Sequence, residues 1–97
     1  MIILFIGDII GRPGRELLRK GLAALVERHR VDCVIANAEN SAAGFGITKD
    51  IGDTILSYGV DVMTSGNHIW DKKEALDYIA VERRLLRPAN YPPGVPG

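Results

Sequence analysis

Three short apolar runs, each followed by a polar turn and then an amphipathic segment, set the rhythm of the chain. Ile2 to Ile6 is an unbroken β-branched and aromatic run, the pattern of a strand covered on both faces, as in a parallel sheet. Gly7 to Gly14 reads as a loop, with Pro13 suited to the first turn of the next helix, where its missing N–H is no loss. That helix carries Leu17, Leu18, Gly21, Leu22, Leu25 and Val26 as a stripe at helical spacing. Arg15, Arg19, Lys20, Glu27 and Arg28 fall mostly off the stripe and form a solvated face, and His29 places favourable charge near the C-terminal end. Val31 to Ala36 repeats the buried-strand pattern, followed by a polar turn through Asn40 and a flexible Ala43-Gly44-Phe45-Gly46. Thr48 is suited to cap a second helix with Ile51, Ile55 and Tyr58 inward and Gly59 as its C′ residue. Val60 to Thr64 is the third strand. Asp71 with Glu74 three residues on has capping-box spacing and predicts a third helix from about Lys72 to about Arg83. Leu85 to Pro88 reads as a short fourth strand at an edge, and the Pro/Gly-rich tail 90–97 as a loop.

Strands alternating with helices predict an α/β fold: βαβ units with right-handed crossovers, a parallel sheet with flanking helices, and one domain over residues 1–97. That architecture also predicts where chemistry sits, because open α/β sheets bind ligands outside the carboxyl ends of their strands. Asp8, Glu39 with Asn40, and Asn67 with His68 all fall at such ends, separated by about thirty residues, the length of one βαβ repeat.

Composition narrows this picture. A chain of 97 residues supports one hydrophobic core, and a formal net charge of zero supplies no long-range field for nucleic acid or an anionic membrane. Cys33 is the single cysteine, so nothing calls for an oxidising compartment, and its place in an apolar run predicts a small core residue. The opening apolar run is interrupted by Asp8, far short of the roughly 18 residues of a membrane span, and lacks a basic leader region. The expected compartment is the cytoplasm.

Two carboxylates, two amides and an imidazole converging on one sheet edge make a hard, oxygen-rich site, better suited to Mn²⁺, Fe²⁺ or Mg²⁺ than to thiolate-seeking metals. Glu39 has two oxygens with which to bridge a pair of ions, Asp8 would bind one of them and Asn67 the other. Such a pair would bind a substrate phosphate and generate hydroxide as nucleophile, leaving His68 free to protonate the leaving oxygen. Singly, each residue has a plainer reading. Asp8 is placed to cap a helix, Asn40 and Asn67 are common turn residues, and a loop histidine is ordinarily incidental. Glu39 is harder to explain so, because it directly follows a buried strand, where an unpaired charge is costly.

Gly7-Asp8, Asn37-Ala38-Glu39-Asn40 and Ser65-Gly66-Asn67-His68, in that order, resemble the N-terminal half of the calcineurin-like metallophosphoesterases, and more narrowly their YmdB-like bacterial phosphodiesterase branch. The wider superfamily opens with Asp-x-His, whereas position 10 here is Ile10, and it usually has Asp where this chain has Glu39. Both departures match the YmdB-like branch. The resemblance implies the N-terminal half of an αββα sandwich and hydrolysis of phosphodiesters, cyclic nucleotides included. It also implies two divalent ions, iron or manganese first and magnesium next. Asp8 and Glu39 would hold one metal, Glu39 and Asn67 the other, with Asn40 assisting and His68 as the acid. Family members supply further histidine ligands and a second sheet from a C-terminal half, whereas this chain has only His29 and His68. The expectation is therefore an incomplete site, a partner segment or chain to complete it, and an exposed sheet face prone to self-association.

Two other classes compete. A non-catalytic nucleotide-binding or phosphate-binding module would use Gly7 to Gly14 before a helix, but the Gly-Lys-Ser/Thr ending and the G-x-G-x-x-G spacing are both missing. An inactive assembly fragment would need no chemistry at all. An esterase of the Gly-Asp-Ser type is poorer still, since Ile9 stands where the nucleophilic serine would be.

Overall fold

The fold is taken from a computed structural model, which describes residues 1–42 and 45–97. Ala43 and Gly44, expected within a flexible turn, lie outside the described residues. The elements run β1 (Ile3–Ile6), α1 (Gly11–His29), β2 (Cys33–Asn37), α2 (Lys49–Ser57), β3 (Val62–Thr64), a 3₁₀ helix (Asn67–Trp70) and α3 (Lys73–Val81). The three strands form one parallel sheet in the order β1-β2-β3, with Ile3 opposite Cys33 and Ile35 opposite Val62. The α/β expectation holds, and the helices pack on one side of the sheet.

Alternation along the strands decides which side. Leu4, Ile6, Val34, Ala36 and Met63 point into a core completed by Leu18 and Leu22 of α1, Ile55 of α2 and Ala75, Tyr78 and Ile79 of α3. The opposite side is open: Ile3 is 55% and Phe5 60% exposed. Register puts half-buried Cys33, Ile35 and Val62 on that same side. The apolar runs therefore do not mean burial on both faces, and Cys33 is not a core residue. A continuous run signals apolar character on both faces without saying what covers each.

The helix boundaries reflect local chemistry. α1 begins at Gly11, earlier than the loop expectation, with Ile10 at the cap position and no side-chain cap bond; Asp8 therefore does not cap it. The helix ends at His29, and Arg30 at its C-cap takes the left-handed conformation (φ 52°) while its own and Val31's N–H donate to the Glu27 and Val26 carbonyls. Thr48 caps α2 as expected, its hydroxyl accepting from the Ile51 N–H at 3.3 Å. Gly59 follows at φ 113°, which suits glycine alone. Tyr58 is only half-buried at the end of this helix. α2 and α3 meet where the ring of Tyr78 lies against Gly52, so closely that a β-carbon there would sit 2.5 Å from it. The Tyr78 hydroxyl donates to Asp53 at 3.0 Å.

Two expectations fail near the C-terminal side. α3 starts at Lys73 with Lys72 at the cap position and no side-chain cap bond, so Asp71 and Glu74 do not form a capping box. Leu85 to Pro88 is not a strand but a single parallel bridge, Met63 opposite Leu85. Leu86 N–H donates to Met63 at 2.9 Å, but the next donor of a parallel ladder would be residue 88, a proline without an N–H. The hydroxyl of Ser65 takes up the Leu86 carbonyl instead. Residues 90–97 carry turns only, and no helix among the described residues is long and apolar enough to cross a membrane.

Candidate metal centre

Main-chain hydrogen bonds gather the three strand-end turns. The Ile9 N–H donates to the Asn37 carbonyl and the Gly11 N–H to the Asn40 carbonyl, each at 3.0 Å. Together these fasten the turn after β1 to the turn after β2. The Ala38 N–H donates to the Thr64 carbonyl at 3.0 Å, fastening that turn to the end of β3. Behind them the fully buried Ser41 hydroxyl donates to the Ala38 carbonyl at 2.7 Å, and Arg15 donates to the Ser41 carbonyl.

Two groups of side chains result. In the first, the Asn40 amide donates to Asp8 Oδ1 at 2.8 Å. The amide's own oxygen, Asn40 Oδ1, is buried without a hydrogen-bond partner among the described residues. A buried carbonyl oxygen left so is costly unless something electropositive meets it. In the second group, Glu39 Oε2 accepts from the main-chain N–H of His68 at 3.0 Å and Oε1 from the Asn37 amide at 3.3 Å. Its carboxylate lies against Gly66, where an added β-carbon would come within 2.5 Å of Oε1. The Gly66 φ of −139° is open to any residue, so the contact, not the backbone angle, asks for glycine. Asn67 opens the 3₁₀ helix with its side chain exposed. No hydrogen bond joins it to Glu39 among the described residues.

His68 is half-buried, with Nδ1 2.7 Å from Asp71 Oδ2 and its ring 4.8 Å from that of Phe45, tilted by 39°. Sequence reasoning missed three of these neighbours: Asn37, which steadies Glu39; Phe45, which covers His68; and Asp71. The spacing of His68 and Asp71 could have revealed the last, because residues three apart eclipse in a 3₁₀ turn.

Asp8, Glu39, Asn40, Asn67 and His68 thus share one sheet edge, held by two carboxylates and two amides in separate contacts. No group of three or more His, Cys, Asp or Glu side chains suited to a metal occurs among the described residues. The donor set fits a hard cation through its oxygens, with Asn40 Oδ1 as the unsatisfied one, but is short of a full coordination sphere. A cavity of about 270 Å³ opens between β1 and α1, walled by Ile6, Ile9, Leu18, Leu22 and Leu25. It touches Asp8 alone of the five, and its apolar wall suits no phosphate.

The family profile described as "YmdB-like protein" matches residues 4–97. Among curated proteins, the 2',3'-cyclic-nucleotide 2'-phosphodiesterase of Bacillus subtilis strain 168 is 44% identical over 97 residues, covering 100% of this chain and 37% of its own length. A crystal structure from Thermus thermophilus, described as a hypothetical protein, superposes with a TM-score of 0.91 at 42% identity, covering 100% of this chain and 37% of that one. A Mycoplasma pneumoniae structure described as a novel phosphatase gives a TM-score of 0.85 at 35% identity, over 89% of this chain and 31% of that one. The chain spans about a third of the length of the relatives it matches.

Proposed function

The chain belongs to the YmdB-like family, and from that premise we propose that residues 1–97 supply one half of a metal-dependent phosphodiesterase site acting on small phosphodiesters, cyclic nucleotides among them. The observation that carries this reading is the Asp8–Asn40 contact, which leaves a buried oxygen, Asn40 Oδ1, without a partner among the described residues at the strand edge. A hydrolytic role agrees with relatives named as a phosphodiesterase and a phosphatase.

Asp8, Glu39, Asn40 and Asn67 would hold two divalent ions of the iron or manganese type. Such ions, when bound, neutralise phosphate and lower the pKa of water. Glu39 offers two carboxylate oxygens for bridging, and its bonds to the His68 N–H and Asn37 amide hold it at the edge. His68 stands beside Asn67 with its ring held by Asp71 at Nδ1 and covered by Phe45, and serves as the acid that protonates the leaving oxygen. The remaining ligands come from polypeptide outside this chain, in keeping with the share of the relatives that it spans.

Titration with Mn²⁺ followed by calorimetry, on this chain and on the assembled enzyme that completes the site, tests the reading. Two ions are expected in the assembled enzyme, weak binding in this chain, and loss of affinity in Asp8→Asn and Glu39→Gln. His68→Ala should keep the metal and lose turnover. No metal in either preparation, or tight nucleotide binding in metal-free buffer, would sink it.

A further inference from the structure

The sequence pattern makes Asp71 a helix cap, yet α3 begins one residue later and the Asp71 carboxylate is committed elsewhere. The helix starts with Lys72 at its cap position and no side-chain bond there, forgoing the stabilising contact that a capping side chain makes to the first turn. The carboxylate instead reaches back one 3₁₀ turn to His68 Nδ1, at 2.7 Å. His68 is held on two further sides: its main-chain N–H is bound to Glu39 Oε2 at 3.0 Å, and Phe45 covers its ring at 4.8 Å. Nδ1 is thereby committed, and Nε2 makes no hydrogen bond among the described residues.

We infer that Asp71 is a positioning residue for His68, fixing the ring and its tautomer so that Nε2 alone exchanges a proton with the substrate; this rests on the reading of His68 as the acid. An ionised carboxylate can only accept a hydrogen bond, so Nδ1 must carry a proton for the pair to form. In the hydrolytic step hydroxide forms a new bond to phosphorus while the bond from phosphorus to the leaving oxygen breaks, its electron pair remaining on that oxygen. The proton on Nε2 passes to the leaving oxygen, giving the free alcohol. His68 is left neutral, its Nδ1–H still on Asp71 and a lone pair on Nε2, and it regains a proton from solvent. Without Asp71 the ring is free to turn and to carry its neutral-state proton on Nε2, and the direction of delivery is lost.

The test reads the tautomer directly. The chain has only two histidines, His29 and His68, so ¹⁵N-histidine labelling gives two ring signatures, assigned with His68→Gln. In the metal-free chain, with the rings neutral, His68 should show the Nδ1–H form while exposed His29 shows the mixture of a solvated ring. Asp71→Ala should move His68 toward the His29 pattern, and Asp71→Asn, whose amide oxygen still accepts, should hold it. A wild-type His68 that matches His29 overturns the inference, whatever the variants do. In the assembled enzyme, Asp71→Ala should lower kcat on the order of 10²-fold for an alkoxide leaving group. KM, and the rate with a nitrophenolate leaving group that needs no acid, should stay unchanged. Equal losses on both esters would overturn the inference. An unmodified enzyme inactive on both would instead remove the phosphodiesterase reading, while the tautomer result stands by itself.

Discussion

Gly66 is the smallest residue at the site and the one with the most direct demand on it. Because its backbone angle suits any residue, Gly66→Ala should fold, and the Glu39 carboxylate, at the end of a flexible side chain, should be what moves. The expected outcome is a melting temperature close to the parent with Mn²⁺ affinity lowered about 10- to 100-fold, the range for losing a group that supports a ligand. Calorimetry decides it: unchanged affinity with a lowered melting temperature would make Gly66 a packing residue only. At this scale the sequence was legible wherever an apolar run ended in a polar residue, which is why Asp8, Glu39, Asn40, Asn67 and His68 could be picked out before their contacts were known. Asp71 was not, because Asp before Glu at a three-residue interval satisfies the capping pattern equally well. Only the geometry of the 3₁₀ turn chooses between capping a helix and binding an imidazole. Asn37 escaped notice for a similar reason, since its side chain acts on Glu39 two residues away through a turn that spacing alone does not specify.

Among the elements, the contact between α2 and α3 is the most open to measurement. Burial, and then the bond to Asp53, push the Tyr78 phenol well above its ordinary value near 10. A proton held more tightly in the folded state gives stability that is complete below about pH 10 and declines as pH rises beyond it, because the unfolded phenol ionises first. Tyr78→Phe should flatten that alkaline decline in melting temperature, at a cost of about 1 kcal/mol at neutral pH for the lost hydrogen bond. Persistence of the decline in the variant would assign it elsewhere. On the acid side, Asp53 is held below the usual carboxylate range by Lys49, 2.6 Å away, and by Tyr78. Its contribution is present at neutral pH and lost as pH falls below about 3.9. Thr48 and Gly59 were readable as the two ends of α2 because cap and C′ residues have strong local preferences. The end of α1 was not, since Arg30 takes the left-handed conformation with a residue that gives no hint of it. The short bridge at Leu85 shows a proline deciding an element from three residues away.

For the whole molecule, the open side of the sheet matters most. The strands advance in one direction, β1 to β2 to β3. Crossovers of a single hand, the rule for parallel strands, then lay every helix on the same side. Ile3, Phe5, Cys33, Ile35 and Val62 are left as a wet apolar strip that this winding has no means to cover. Phe5→Glu should therefore reduce self-association in sedimentation and weaken binding of an apolar dye, with little change in melting temperature, because Phe5 is already 60% exposed. Unaltered sedimentation and dye binding would show that the strip is not what associates. The α/β class was readable from the alternation of runs, but the bare side was not readable from the strands themselves; only the family resemblance raised it. The hydrogen bonds that fasten the three turns to one another carry a kinetic consequence. On the proposed metal-binding reading, a cation reaching this edge would meet oxygens whose supporting main chain is already in place, and its capture would be paced by how quickly the ion sheds its own water. On that ground Mn²⁺ would enter faster than Mg²⁺, which gives up its hydration shell reluctantly.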